Sequence, residues 1–211
     1  MLSNMPIIIT QTFQFLNMEL SQHPLKRQKA QERLAQVIKI AHQLFASRGY
    51  EDVGVREIAK EAGISPMQVY RLGVDKHDLL AEVILIVNQE LIDGIKPFDH
   101  ASHRSALAFI EHYLLHLYEQ DIGIKSIRKE GAAFGWKWSG KYEALIIEQL
   151  MQILKPIADA LEHFEYDEID ARCYAIWSLY YVGYRNAVMN NADAAECLIA
   201  IKPSLAICLK R

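Results

Sequence analysis

The sequence of 211 residues predicts an all-α fold, and three observations carry this prediction. Apolar residues recur at helical spacing along almost the whole chain. With 10 glycines and 6 prolines, the chain has too few turn formers for a loop-rich β-sandwich. Alternation with a period of two is confined to Thr12–Met18, where Phe13 and Phe15 flank Gln14. We therefore expect helices joined by short connections.

The composition excludes several classes of protein. Apolar residues make up 51% of the chain, which is too many for intrinsic disorder, and no run approaches the ~20 apolar residues of a membrane span. Residues 1–18 lack Lys and Arg and do not resemble a signal peptide. The three cysteines contain no CxxC pair, which favours reduced thiols. We expect a cytoplasmic protein with no membrane contact, no metal and no cofactor.

Four helices are predicted in the first part of the chain. The first lies between Gln28 and Ser47 and ends at Gly49, with one apolar face formed by Leu34, Val37, Ile38, Ala41, Leu44 and Phe45. Two short helices follow at 55–62 and 66–72. A longer fourth helix runs from Lys76 to about Leu91. Helix-breaking residues after this helix indicate a domain boundary near residue 90.

Five further helices are expected at about 102–119, 122–134, 139–163, 167–190 and 193–209. Pro203 is predicted to kink or divide the last of them. Helices 167–190 and 193–209 are apolar on nearly all sides. Such helices need cover on two sides, which a symmetric partner would supply through a four-helix bundle. The alternative is that both helices lie at the centre of a monomer.

Residues 55–72 have the pattern of a helix-turn-helix. Ala59 is small enough for a close approach of two helices, and Gly63 suits a turn with positive φ. Ser65 is placed to cap the second helix, and Pro66 fits its first turn. An ordinary helical hairpin is the alternative. The shared core would consist of Ile58, Ala62, Ile64, Val69 and Leu72.

In a helix-turn-helix the second helix enters the DNA major groove. Gln68 could pair with adenine, and Arg71 with guanine or a phosphate. Residues 25–80 carry 10 Lys or Arg against 7 Asp or Glu, whereas residues 81–211 carry 13 against 18. This asymmetry suits a nucleic-acid contact at one end of the chain. The candidate DNA-binding residues are Lys26, Arg27, Ser65, Met67, Gln68, Tyr70, Arg71 and Lys76.

Over residues 28–80 the chain also resembles the N-terminal domain of TetR-family transcriptional regulators. The residues that carry the resemblance are Leu44-Phe45, Gly49-Tyr50, Ile58-Ala59, Ala62-Gly63-Ile64-Ser65, Tyr70, Lys76 and Leu79-Leu80. The chain departs from the family pattern at Gly54, Met67, Gln68 and Gly73. The resemblance implies a homodimer that binds a palindromic operator, usually as a repressor, and a helical C-terminal domain that accepts a small effector.

We accordingly expect three parts: an N-terminal extension (1–24), a helix-turn-helix DNA-binding domain that includes the start of helix 4 (25–90), and a ligand-binding and dimerisation domain (91–211). Aromatic residues in the last part suit an apolar or planar ligand, although ordinary packing is the alternative for each. His112 and His116 lie one helical turn apart and could line the same pocket or bind a metal. The aromatic candidates are Phe134, Trp136, Trp138, Tyr142, Trp177, Tyr180, Tyr181 and Tyr184.

The sequence contains no GxSxG, glycine-rich phosphate loop or HExxH, so we do not expect an enzyme. The predicted function is a ligand-responsive transcriptional regulator whose partners are double-stranded DNA, a small apolar or aromatic effector and a second copy of the chain. The alternative is a small-molecule-binding protein whose DNA-binding head is residual.

Overall fold

A computed structural model of the chain describes residues 24–99, 101–134 and 140–210. Over these residues it contains helices and no strand, so the all-α prediction is confirmed. The predicted N-terminal extension and the alternating stretch Thr12–Met18 lie outside the described residues, apart from Pro24. The helices are α1 (Pro24–Arg48), α2 (Val55–Glu61), α3 (Pro66–Arg71), α4 (Lys76–Gly94), α5 (Ala106–Gly123), α6 (Lys125–Phe134), α7 (Gly140–His163), α8 (Ile169–Asn190) and α9 (Ala194–Cys208).

The chain divides into two compact units. The first comprises residues up to Gln89 together with 133–146, and the second comprises residues 90–132 and 147 onward. Helix α7 therefore contributes its first residues to the first unit and the rest to the second. Within the described residues, no helix is long and apolar enough to cross a membrane.

Helix α1 supplies one wall of the core of the first unit. It starts at Pro24, four residues before the predicted start, and ends at Arg48. Gly49 follows with φ +87° and donates its N–H to the carbonyl of Phe45, as a glycine C-cap does. The predicted apolar face is buried except for Leu44, which is half-buried. The buried face packs against α2, which in turn packs against α3.

The core of the second unit is formed by α5, α7, α8 and α9. Helix α9 packs against both α8 and α5. The largest fully buried side chains of this core include Tyr118 of α5 and Tyr180 of α8. Gly183 of α8 allows a close approach, because a Cβ there would collide with the Tyr118 hydroxyl and lie 2.8 Å from the Cys197 carbonyl oxygen.

The start of α5 and the course of α9 differ from the sequence prediction, each for a local reason. Helix α5 begins at Ala106 and not at 102, because the Ser105 hydroxyl accepts a hydrogen bond from the N–H of Ala108 and caps the helix there. Helix α9 continues through Pro203 and is not divided. Pro203 and the residue four positions earlier, Ile199, are both exposed, so water can bind the carbonyl that lacks an N–H donor.

Candidate nucleic-acid interface

The turn between α2 and α3 has the geometry that its sequence predicted. Gly63 has φ +67°, in the left-handed region that favours glycine. The N–H of Ile64 reaches back to the carbonyl of Ala59 at 3.0 Å and closes the turn. Ala59 is fully buried. This turn fixes the angle at which α3 leaves α2, and so determines which side chains of α3 face outward.

The start of α3 is fixed by a capping box. The Ser65 hydroxyl accepts a hydrogen bond from the N–H of Gln68 at 3.3 Å, and the Gln68 side-chain oxygen accepts one from the N–H of Ser65 at 2.8 Å. Pro66 stands in the first turn. The predicted capping role of Ser65 is confirmed. The amide oxygen of Gln68 is engaged in this cap, which the sequence analysis did not foresee.

The outward side of α3 carries three of the predicted contact residues. Val69 and Leu72 are buried and define the inward side of the helix. Met67 is 61% exposed and Tyr70 is 54% exposed, and Arg71 is exposed as well. These three side chains form one continuous surface, which we call the α3 ridge (Met67, Tyr70, Arg71). It combines an apolar group, a phenol and a guanidinium.

The other predicted basic residues lie on α1 and α4. Lys76 begins α4, and its Nζ lies 4.1 Å from the centre of the Tyr50 ring and 3.4 Å from the Glu51 carbonyl oxygen. These contacts hold the half-buried Lys76 at the start of α4. In the first turn of α1, Lys26 is exposed and Arg27 is half-buried.

Four of the predicted aromatic residues lie together on α8. The rings of Trp177 and Tyr180 stack at 4.9 Å, and those of Tyr180 and Tyr184 are parallel at 6.2 Å. Tyr118 of α5 stacks on Tyr180 at 4.6 Å. Tyr180 and Tyr184 are buried, whereas Trp177 and Tyr181 are half-buried. The side chains of Phe134, Trp136 and Trp138 lie outside the described part of the chain.

Tyr142 lies in the first unit and does not belong to the α8 cluster. It is buried against Ala81 and Leu85 of α4, and its hydroxyl lies 3.1 Å from Oε1 of Glu82. The neighbouring Lys141 Nζ lies 3.5 Å from Oδ1 of Asp78. It also lies 3.4 Å from the carbonyl oxygen of Gly73, in the connection between α3 and α4. The start of α7 is therefore held on α4 by a hydrogen bond and an ion pair.

A buried polar network underlies the α8 aromatic residues, and the sequence analysis did not find it. The carboxylate of Asp121 accepts hydrogen bonds from Nε of Arg128 at 2.9 Å and from the hydroxyl of Tyr180 at 2.5 Å. The Tyr184 hydroxyl donates to the Asp121 carbonyl at 3.2 Å. Burial and the charge of Asp121 raise the pKa of Tyr180 well above its usual range, so this phenol remains neutral. In the sequence, the only indication of this network is the spacing of seven residues between the opposite charges of Asp121 and Arg128.

The two predicted histidines, His112 and His116, lie on α5. His112 is exposed and its ring lies 5.7 Å from that of His103, while His116 is half-buried. Among the residues that the structure describes, no group of three His, Cys, Asp or Glu could hold a metal ion.

These features agree with three comparisons. Residues 37–83 match the family described as bacterial regulatory proteins, tetR family. HTH-type transcriptional regulators of Staphylococcus aureus strains USA300 and N315 are 41% identical over 58 residues, or 28% of this chain and 31% of each relative. The crystal structure of the transcriptional regulator FadR from Bacillus subtilis in complex with stearoyl-CoA is similar in fold, with a TM-score of 0.53, 19% identity, and coverage of 83% of this chain and 97% of that chain.

The fold and the α3 ridge define a helix-turn-helix protein with a second, all-helical unit. The part of the chain that matches the tetR family of bacterial regulatory proteins, residues 37–83, comprises this helix-turn-helix with the second half of α1 and the start of α4. The sequence match covers about a third of the length of the curated relatives.

Proposed function

We propose that the protein is a cytoplasmic, ligand-responsive transcriptional repressor that binds a palindromic operator as a homodimer. The observation that carries this proposal is the α3 ridge: exposed Met67, Tyr70 and Arg71 on a helix whose start is fixed by a capping box. In a helix-turn-helix this helix enters the major groove. A ridge of this composition has no role in packing, since all three side chains face away from the core.

Each exposed group of the ridge has a partner on DNA. The Arg71 guanidinium suits O6 and N7 of guanine or a phosphate, and the Tyr70 hydroxyl suits a phosphate oxygen. Lys76, Lys26 and Arg27 would contact the backbone. Gln68 can offer its amide nitrogen to a base, but bidentate pairing with adenine requires its oxygen to leave the N–H of Ser65.

The proposed homodimer would form through α8 and α9. Helix α8 exposes Tyr174 (76%), Val182 (59%) and Met189 (63%), which recur at helical spacing along one side. Helix α9, which packs beside it, exposes Ile199 and Ile207 two turns apart. Ser178 and Arg185 are exposed on the same side of α8, so this surface is largely apolar but carries one charge. A surface of this kind on two adjacent helices is typical of an interface. Two copies would bury it in a four-helix bundle around a two-fold axis.

The proposed effector site lies beside the half-buried Trp177 and Tyr181. Both rings pack against the buried ring of Tyr180 but remain partly exposed to solvent. A partly exposed aromatic surface suits a planar or apolar ligand. His112, His116, Phe134, Trp136 and Trp138 stay candidates for the same role. FadR, which has a similar fold, was crystallised with stearoyl-CoA, so acyl-CoA belongs among the effectors to be screened.

The contacts of α7 with α4 would transmit the effect of a ligand. Tyr142 and Lys141 hold the start of α7 on α4 and on the connection that follows α3. A ligand that favours a displaced α7 would shift α4 and, with it, the recognition helix. The two recognition helices of the dimer would then no longer match successive major grooves ~34 Å apart. The ligand must bind the two states with different affinity for this to occur.

Footprinting tests the proposal. The purified protein is incubated at moderate salt with DNA from upstream of its own gene and of the neighbouring genes. We expect a protected palindrome whose affinity falls steeply as salt is raised, since phosphate contacts release counterions. The absence of any protected palindrome would contradict the proposal.

A small-molecule-binding protein with a residual DNA-binding head is the second candidate. It is favoured by the engagement of the Gln68 amide oxygen in the capping box, which leaves fewer groups to read bases. Retention on specific and on random DNA at increasing salt separates the two candidates. Equal retention on both DNAs would support the residual head, whereas preferential retention on specific DNA would exclude it.

A further inference from the structure

We infer that Met67 reads the 5-methyl group of a thymine in each half of the operator. The inference rests on the proposed function and adds a chemical specificity to it. At ~100° per residue, Met67 points almost directly opposite to the mean direction of the buried Val69 and Leu72. It is therefore the central residue of the α3 ridge, with Tyr70 on one side and Arg71 on the other.

The chemistry of the side chain restricts its partner. A thioether is uncharged and has no proton to donate, so it gains little from a phosphate. Among the base edges in the major groove, the thymine 5-methyl is the apolar group that distinguishes one base pair from the others. Met67 is 61% exposed, and placing its side chain against the polar edge of a base would remove water from that edge without supplying a hydrogen bond. A thymine methyl group has no hydrogen bond to lose and can pack against the thioether.

The neighbouring residues strengthen this assignment. Gln68, the residue best suited to read adenine, has its oxygen held by the N–H of Ser65. Met67 can then recognise an A·T pair by contacting the thymine, whereas Gln68 would have recognised the same pair by contacting the adenine. Gln68 and Ser65 act as positioning residues, because their reciprocal hydrogen bonds fix the first turn on which Met67 stands.

The test removes the methyl group from DNA and the thioether from the protein in turn. Full-length protein first selects its site from a randomised DNA duplex library. Each thymine of the selected site is then replaced by deoxyuridine in both half-sites, which deletes the methyl and leaves every hydrogen-bonding group in place. Affinities are measured for the wild type, Met67→Ala, Met67→Leu, Tyr70→Ala and Met151→Ala. Met151 is a control of similar exposure (54%) on α7.

We expect one thymine per half-site at which deoxyuridine weakens wild-type binding about fourfold for each methyl removed. Met67→Ala should bind the thymine site more weakly and show no further loss with deoxyuridine, while Met67→Leu and Met151→Ala keep the sensitivity. The melting temperature of Met67→Ala should match that of the wild type, since the side chain is exposed.

Two results would overturn the inference while leaving DNA binding intact: equal tolerance of deoxyuridine at every thymine by the wild type, or a loss of sensitivity in Tyr70→Ala but not in Met67→Ala. If the library yields no enriched sequence at all, the proposed function fails and this inference fails with it. The two failures are thus distinguishable.

Discussion

Gly183 shows how a single residue sets the packing of the second unit. A Cβ at this position would collide with the hydroxyl of Tyr118 and come within 2.8 Å of the Cys197 carbonyl oxygen. The Tyr118 hydroxyl is itself fixed by a hydrogen bond of 3.0 Å to the carbonyl of Tyr180. Neither neighbour can move without disturbing the core, so the absence of a side chain at Gly183 is a packing requirement.

Gly183→Ala should therefore lower the free energy of unfolding by about 2 kcal/mol, because the added methyl overpacks a close helix contact. The control is Gly123→Ala at the end of α5, where nothing lies within 4 Å of the new Cβ. Urea titration followed by circular dichroism measures both. Equal stabilities of the two variants would show that the contact at Gly183 is looser than described.

Buried tyrosines are predicted to set the highest pH at which the protein stays folded. Burial raises the pKa values of Tyr113, Tyr118, Tyr180 and Tyr184 above the ordinary value of about 10. Because the folded pKa values exceed the unfolded ones, the stability that these groups contribute is complete below pH ~10 and is lost as the pH rises further.

An alkaline titration checks this expectation. Tyrosinate absorbance and helical circular dichroism are followed together as the pH rises. The last part of the absorbance change should coincide with loss of helix, because Tyr113, Tyr118, Tyr180 and Tyr184 ionise only on unfolding. Ionisation of all ten tyrosines with the helical signal intact would refute the assignment.

At the scale of the element, the ends of the helices are set by individual caps. Ser65 caps α3 and Asp193 caps α9, each with a reciprocal capping box. Helix α2 differs, since its N-cap Gly54 has no side chain to accept a hydrogen bond. The φ of Gly54 is −106°, and its Cβ position is open, so other residues fit there.

Gly54→Ser should accordingly stabilise the protein by about 0.5 kcal/mol, through a new cap and a smaller conformational entropy of the unfolded chain. The matched control is Gly63→Ser, which should destabilise because φ there is +67°. Thermal unfolding of the two variants beside the wild type measures the difference. A Gly54→Ser variant of lower stability than the wild type would contradict this description of the start of α2.

Most of the first unit could be predicted because its signals are local. Gly49, Gly63 and Ser65 each act within four residues of their own position, and the apolar face of α1 follows from helical periodicity alone. The network at Asp121 could not be predicted in this way. Its carboxylate meets Tyr180, 59 residues along the chain, and such a contact exists only once α5 and α8 are packed. Tyr142 shows the same limit, since its sequence neighbours gave no sign that it would pack on α4.

At the scale of the whole molecule, the proposed binding to a palindromic operator requires two copies of the chain. Helices α8 and α9 expose the apolar side chains Tyr174, Val182, Met189, Ile199 and Ile207, with Ser178 and Arg185 exposed on the same side of α8, while their other sides pack in the core of the second unit. A dimer would cover the exposed apolar side chains of both helices. It would also duplicate the α3 ridge, which a palindromic operator requires.

Val182→Glu should convert the dimer to a monomer, because a carboxylate placed within an apolar interface loses its hydration. Light scattering after size-exclusion chromatography measures the mass. Ile147→Glu on α7, at a similarly exposed apolar position (49%), is the control and should remain dimeric. A wild-type chain that is monomeric at micromolar concentration would remove the basis for two-fold operator binding.

The most direct test of the account is competition binding of Arg71→Ala to the selected operator and to random DNA. Arg71 is exposed, so the variant should melt at the wild-type temperature while its preference for the operator falls by about tenfold or more for each half-site. Arg104→Ala, an exposed arginine of the second unit, should retain the wild-type preference. An Arg71→Ala protein that is folded and binds the operator as selectively as the wild type would show that the α3 ridge is not the surface that reads DNA.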